Sequence, residues 1–327
     1  MPPHVALNQM ITGAWLSQVI FVSAELGIAD LLQSEALTPA EIAARTGAHP
    51  DSLHRILRAL ASVGIFRQNE AGQFEQTPLS ECLRSDVPGS MRAWARTCGA
   101  KWHWDMLAEL IDCVRAGKKS SFRTWEHFEQ NRHDGDIFNQ AMTSFSASEI
   151  SPILANYDFS GIRKLVDVAG GHGSLLAAVL EANPGMNGVL FDAPSVIEGA
   201  RPHIAASKVA GRCELVGGDF FVSVPAGADA IMMKHILHDW DDESSLKILK
   251  ACHAALPAGG KLLVMDSVIL SGNEPSVGKV MDLVMLLIGG RERTEADFRA
   301  LFSAAGFDLT RIVPTPSPVS VVEGRKR

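Results

Sequence analysis

The sequence predicts an α/β domain wound around a mostly parallel sheet, preceded by a mainly helical, winged-helix-like domain. Three observations carry this. The hydrophobic period changes near residues 155–163, from helical before it to alternating short apolar runs and helical runs after it. Residues 38–77 follow the order helix, turn, helix, hairpin. A small-residue loop, Ala169-Gly170-Gly171-His172-Gly173, joins an apolar run ending in an acid to a second apolar run. The predicted domains are residues 1–158 and 159–327.

In the first domain, residues 9 to about 155 read almost entirely as helix. Thr38 is a candidate N-cap, with Pro39 at the first helical position and Glu41 placed to complete a capping box. Gly47 stops that helix. Asp51 or Ser52 opens the next, which puts Leu53, Ile56, Leu57 and Leu60 on one face and ends at Gly64. "IFRQNEAGQFEQT" then reads as two short strands around a turn at Asn69–Gly72. The apolar stretch from Met10 to Leu32 is broken by Glu25 and Asp30, so it reads as a buried helix and not as a membrane span. The first ten residues lack the charged start and apolar core of a signal peptide.

From Lys164 onward, "KLVDVA", "SLLAAVLEA", "GVLFD", "APSVIEGARPHIAA", "RCELVGG", "ADAIMMK", "DDESSLKILKACHAAL" and "KLLVMDSVI" alternate strand and helix. "FDLTRIVPT" and "PVSVVEG" add two late strands. An apolar fraction of 46% supports a sizeable core, and a net charge of -7 with mixed signs argues against nucleic acid as the main partner. Five scattered cysteines with no C-x-x-C spacing read as reduced thiols in a cytoplasmic protein, with no disulfide framework and no zinc site expected.

The glycine loop admits two ligands. A dinucleotide needs G-x-G-x-x-G and an acid about twenty residues on; here Leu176 stands in the third glycine position, although Asp192 does close the second strand. S-adenosylmethionine (SAM) has no phosphate but carries an amino acid, a ribose and a cationic sulfonium. It suits acids at the ends of successive strands. Asp167, Asp192 and the pair Asp219-Phe220 stand there, and that constellation favours SAM over NAD.

"LVDVAGGHG", "FDAP", "VGGDFF", "MMKHILHDWDDE", "ALPAGGKLLVMD" and "GGRERTEADF" together resemble the successive motifs of the SAM-dependent O-methyltransferases of the caffeic acid and acetylserotonin type, which include many bacterial small-molecule enzymes. The resemblance spans nearly the whole chain. It implies a Rossmann-like SAM methyltransferase domain and an N-terminal domain used for homodimerisation, with the apolar helix at residues 10–32 as a suitable interface. It places Ala169, Gly170, Gly171 and Gly173 beside the methionine part of SAM, Asp192 at the ribose, Asp219 and Phe220 at the adenine, and Lys234 in the same site. Met142 and Ser146 fall on a helix that closes over the cofactor, and Asp167 stands just before the loop. His238 matches the catalytic base, flanked by Asp266 and Glu292. Met281, Met285, Trp104 and Phe145 match positions lining the acceptor pocket.

Two departures stand out. Many relatives have glycine at Ala169, and alanine fits the turn only at negative φ, so SAM affinity is expected to suffer otherwise. Leu287 and Ile288 occupy a segment where some plant relatives place a polar substrate contact, so plant substrates do not transfer.

Methyl transfer from a sulfonium needs an aligned, partly deprotonated oxygen nucleophile. A phenol titrates near about 10 and free imidazole near about 6.5, so full proton transfer is uphill by roughly 5 kcal/mol. A carboxylate on the imidazole stabilises the imidazolium. His238 with Asp266 and Glu292 supplies that set, which predicts O-methylation of a hydroxylated, apolar, aromatic small molecule in secondary metabolism, with no membrane or nucleic-acid partner. His235 reads as packing, and the spacing of His235, His238, Asp239 and Asp241 is not expected to make a metal site. The competing readings are a winged-helix DNA-binding regulator, and an enzyme of the same fold with an altered reaction.

Overall fold

The computed structural model describes residues 1–327. Two compact units divide the chain: residues 1–108 with 124–145, and residues 109–123 with 146–327.

The first unit opens on a 23-residue helix, Pro3–Glu25. It is long and apolar enough to cross a membrane by length and composition. The sequence suggested a buried helix, but within the single chain Met10, Ile11 and Trp15 are 77%, 65% and 73% exposed. Its far end carries the only two buried residues, Ser23 and Ala24. Helix Pro39–Thr46 starts on the predicted capping box, with Thr38 and Glu41 exchanging backbone and side-chain hydrogen bonds, and ends at Gly47 with φ +71°. The next helix runs Pro50–Ser62, a residue or two earlier than Asp51 or Ser52, because Pro50 fixes the first helical φ and His49 acts as the cap. It buries Leu53, Leu57 and Leu60 against Ile28, Ile42, Phe66 and Phe74. Strands β1 (Phe66–Gln68) and β2 (Phe74–Gln76) pair antiparallel around the turn at Asn69–Gly72, which completes the wing.

The second unit holds a seven-stranded sheet. Its strands in chain order are β3 (Lys164–Val168), β4 (Asn187–Asp192), β5 (Cys213–Gly217), β6 (Ala230–Lys234), β7 (Lys261–Asp266), β8 (Phe307–Pro314) and β9 (Ser320–Lys326). The spatial order is β5-β4-β3-β6-β7-β9-β8. The first five strands are parallel, and β8 and β9 pair antiparallel along β7, so they form the late hairpin read from sequence. Apolar clusters cover both faces: Leu176, Val179, Leu190 and Ile197 on one, and Ile248, Cys252, Leu262 and Phe302 on the other. That two-sided burial is why β3, β6 and β7 read as continuous apolar runs. Strand order reverses between β3 and β6, and a ligand crevice is expected outside their carboxyl ends.

The expected cut at 158/159 does not coincide with this division. Helix Arg132–Asn156 is continuous, so the chain passes from one unit to the other inside it. Residues 109–123 join the second unit because the Ser120 amide donates to the Leu287 carbonyl (2.9 Å) and helix Leu110–Ala116 packs on helix Val277–Ile288. All five cysteines are free thiols.

Candidate active site

The loop after β3 is built by backbone geometry. Ala169 takes φ +54° and donates its amide to the Phe191 carbonyl (2.7 Å); Gly171 and Gly173 follow at φ +58° and +80°. The condition of negative φ at Ala169 is therefore not met, and the residue sits strained in the left-handed region. Gly170 is required for another reason: a Cβ there would stand 2.4 Å from Asp167 Oδ2 and 2.5 Å from Leu190. Gly173 caps helix Ser174–Ala182, whose Leu176, Val179 and Leu180 are fully buried.

Acids line the carboxyl edge of the sheet, as the sequence indicated. Asp167, near the end of β3, is 2% exposed, and its Oδ2 is buried without a hydrogen-bond partner. Burial pushes its carboxyl up to about 8, against the pull of Lys234 and with a further push from Asp192. Asp192 closes β4 and accepts from the Gly171 amide (2.8 Å) and the Ala193 amide (2.7 Å); burial raises its carboxyl too, with those amides opposing. Asp219 follows β5 and accepts from the Phe221 amide (2.8 Å), with Phe220 tilted against Phe221 and edge-on to Trp240. These residues fit SAM. The orphaned Asp167 oxygen under a glycine cradle would take a hydrogen bond from a ligand's donor, and the strand-end acids with Phe220 would suit a ribose and a flat base.

Lys234 ends β6, and its ammonium is bonded to Glu149 (2.8 Å). Glu149, from helix Arg132–Asn156, also receives His235 Nε2 at 3.0 and 3.1 Å. Burial would raise Glu149, but His235 and Lys234 outweigh it and hold its carboxyl near about 2. His235 was read as packing and is instead bonded to Glu149. It has φ +57°, and burial and Lys234 lower its pKa against the pull of Glu149.

Past this left-handed residue the chain makes a 3-10 turn, Leu237–Asp239, that presents His238. His238 Nδ1 is 2.8 Å from Glu292 Oε1, and its Nε2 is 3.5 Å from Asp239 Oδ1. Asp266, the last residue of β7, is 1% exposed, with both carboxylate oxygens buried and unpartnered; Glu292 Oε2 is in the same condition. One atom each from His235, His238 and Asp266 lie within 4.8 Å of one another. Burial alone would keep His238 neutral. The Asp239 charge, the Glu292 hydrogen bond and the Asp266 charge overcome it and raise the imidazole to about 9. Burial also pushes Asp239 up to about 7 and raises Glu292, with His238 opposing both.

The turn is clamped by the segment after helix Val277–Ile288. The Arg291 amide donates to the His238 carbonyl (2.8 Å), and a Cβ on Gly290 would stand 1.9 Å from that same oxygen. Arg293, 1% exposed, donates to the Leu237 and Trp240 carbonyls and to Asp242. Asp282 accepts from the Glu292 amide (2.7 Å). Met281, half-buried, and Met285, buried, flank Asp282 on this helix.

The structure thus brings together His238, Asp266 and Glu292, and separately the loop with Asp167 and Asp192. Met142, Trp104 and Phe145 belong to the first unit, where Trp104 Nε1 donates to the Cys98 carbonyl (3.0 Å) and Phe145 meets Trp94 edge-on at 4.7 Å. Ser146 is the first residue of the same helix to belong to the second unit. Sequence reasoning missed Glu149, Asp239 as a neighbour of the base, Asp282 and Arg293. Only the proximity of Asp239 to His238 in "HDWDDE" offered a signal.

A family model of an O-methyltransferase domain matches residues 104–308, and one of an O-methyltransferase dimerisation domain matches residues 8–86. The chain is 41% identical to a phenazine O-methyltransferase of Lysobacter antibioticus, over 99% of this chain and 97% of the relative. It is 39% identical to a mitomycin biosynthesis 6-O-methyltransferase of Streptomyces lavendulae, over 98% and 94%. Human N-acetylserotonin methyltransferase, solved in complex with SAM, matches with a TM-score of 0.91 at 25% identity, covering 100% of this chain and 98% of that one. With the strand-end acids and the glycine loop in place, the chain belongs to the SAM-dependent O-methyltransferase family and is an enzyme that takes SAM as its methyl donor.

Proposed function

We propose that the enzyme methylates a hydroxyl on an apolar, aromatic small molecule of secondary metabolism, with His238 as general base. The observation that carries this is the buried His238, held at Nδ1 by Glu292 and surrounded by Asp239 and Asp266. The phenazine in the name of one relative supports an aromatic acceptor.

When bound, SAM supplies a methyl group already activated by its cationic sulfur. Ala169, Gly170, Gly171, Gly173, Asp167 and Asp192 would hold it, with Asp219, Phe220 and Lys234 at the same sheet edge and Ser146 on the part of the long helix that belongs to the same unit. The remaining task belongs to His238. Raised to about 9, the imidazole holds a proton nearly as tightly as a phenolate does, so taking the hydroxyl proton is far less uphill than for a free imidazole. The same shift leaves only a minor fraction of the imidazole neutral at pH 7, a compromise between base strength and base availability. Glu292 fixes the ring and leaves Nε2 as the proton acceptor. Met281 and Met285 would supply apolar contacts to a flat acceptor.

The exposed apolar face of helix Pro3–Glu25 supports a homodimer through the first unit. The domains would then divide as a dimerisation part ending near 158 and a catalytic part from 159. A cytoplasmic setting is consistent with five free thiols.

Calorimetric titration with SAM, with NAD as control, followed by a screen of phenols, tests the reading. His238→Ala is expected to keep SAM affinity and lose turnover. Unchanged turnover in that variant would remove the histidine base.

A further inference from the structure

We propose that His235, His238 and Asp266 form a binding site for a borderline transition-metal dication of the Zn2+ type, and that filling it switches methyl transfer off. The switching half rests on the base role proposed for His238; the binding half does not.

Four features lead here. First, three donors from two strand ends converge, with one atom from each residue within 4.8 Å of the others. Second, their free atoms lack partners. His235 Nδ1 and both Asp266 oxygens are buried and hydrogen-bond to nothing, and Asp266 is 1% exposed. Buried polar atoms left in this state call for a water, an ion or a catalytic duty, and here they cluster. Third, each imidazole has its other nitrogen held by a carboxylate. His235 Nε2 is on Glu149 at 3.0 Å, and His238 Nδ1 is on Glu292 at 2.8 Å. This leaves His235 Nδ1 without a partner and His238 Nε2 with only Asp239 at 3.5 Å, the two ring nitrogens open to a metal once His238 has given up its proton. A carboxylate behind the ring is the arrangement that orients metal-ligating histidines and raises their basicity. Fourth, two imidazoles and a carboxylate suit a borderline dication and leave a coordination position open, with Asp239 Oδ1 only 3.5 Å from His238 Nε2 as a further oxygen.

The cluster is looser than a filled site. Metal–ligand distances of about 2.0–2.2 Å place tetrahedral ligand atoms roughly 3.3 Å apart. Closing from 4.8 Å needs ring and carboxylate rotations, so the site is one of moderate affinity. The ion would occupy the His238 lone pair that accepts the hydroxyl proton, so a bound ion and base catalysis exclude each other.

The experiment uses the full chain, stripped of metal with EDTA, titrated with Zn2+ by calorimetry and with Co2+ by visible absorption. Turnover is followed in parallel. One equivalent of micromolar binding is expected, with inhibition that EDTA reverses. His235→Asn, chosen because asparagine tolerates the left-handed backbone, should weaken binding at least tenfold. Glu149→Gln, which removes the carboxylate behind the ring, should weaken it 10- to 100-fold. Unchanged circular dichroism and cooperative melting in both variants report that they are folded. No binding overturns the site and leaves the base assignment standing. Equal binding by wild type and His235→Asn also overturns it, since the remaining histidines and the cysteines offer other places. Binding at this site with unchanged turnover overturns the switch and counts against His238 as the base.

Discussion

Ala169→Gly is a test of where backbone strain is charged. Ala169 sits at φ +54° in the loop next to the proposed SAM site. A non-glycine residue there costs on the order of 1–2 kcal/mol. Glycine removes that cost but adds about 0.4–1 kcal/mol of unfolded-state entropy. The net expectation is a gain between zero and about 1.5 kcal/mol, or up to roughly 3–6 °C in Tm for a unit of this size. The Ala169 amide is already committed to the Phe191 carbonyl at 2.7 Å, so the strained conformation exists before any ligand arrives. The strain therefore weakens folding and not SAM affinity, contrary to what the alanine alone suggests. Scanning calorimetry and SAM titration of the variant measure the two terms separately. A rise in SAM affinity of tenfold or more with no change in Tm would refute the reasoning, because it would mean that the loop takes this shape only on binding.

Three further outcomes follow from the geometry. Gly290→Ala drives a Cβ toward the His238 carbonyl, 1.9 Å away, so the turn carrying the base must move; turnover should fall at least 100-fold while calorimetric SAM affinity stays within a few-fold. Glu292→Gln removes a charge and the charged hydrogen bond that raise His238, so its imidazole should titrate about a unit or more below 9, read by NMR, with a parallel loss of kcat. Asp167 is raised in the folded state from 3.8 to about 8, so its ionisation opposes folding: the penalty is absent below pH 3.8, grows as pH rises, and is complete above about 8. Asp167→Asn should thus be more stable than wild type by a few kcal/mol at pH 9, with the difference shrinking toward pH 4 in denaturant titrations.

Much of this was legible locally. The Thr38–Glu41 capping box, the Gly47 stop and the hairpin at Asn69–Gly72 are short-range chemistry, and the sequence spells them out. The strand-end acids were legible because a parallel sheet sends every strand toward the same edge. Glu149 was not. It reaches Lys234 and His235 across 85 and 86 residues, from a helix whose sequence gives no sign of a buried acid. Arg293 escaped for the same reason: its partners, the Leu237 and Trp240 carbonyls with Asp242 and Ser245, lie about fifty residues earlier in the chain and carry no sequence mark.

The uncovered face of the first helix has a consequence for handling the protein. Met10, Ile11 and Trp15 stand 65–77% exposed in an isolated chain, and a second copy laid over them would withdraw that surface from water. Whatever free energy the pairing contributes is shared out by mass action, so the melting temperature becomes a property of concentration as well as of sequence. A tenfold dilution toward the dissociation constant should lower it measurably, and activity assays run at nanomolar enzyme would sample a less robust species than the one that crystallographers and calorimetrists handle at micromolar.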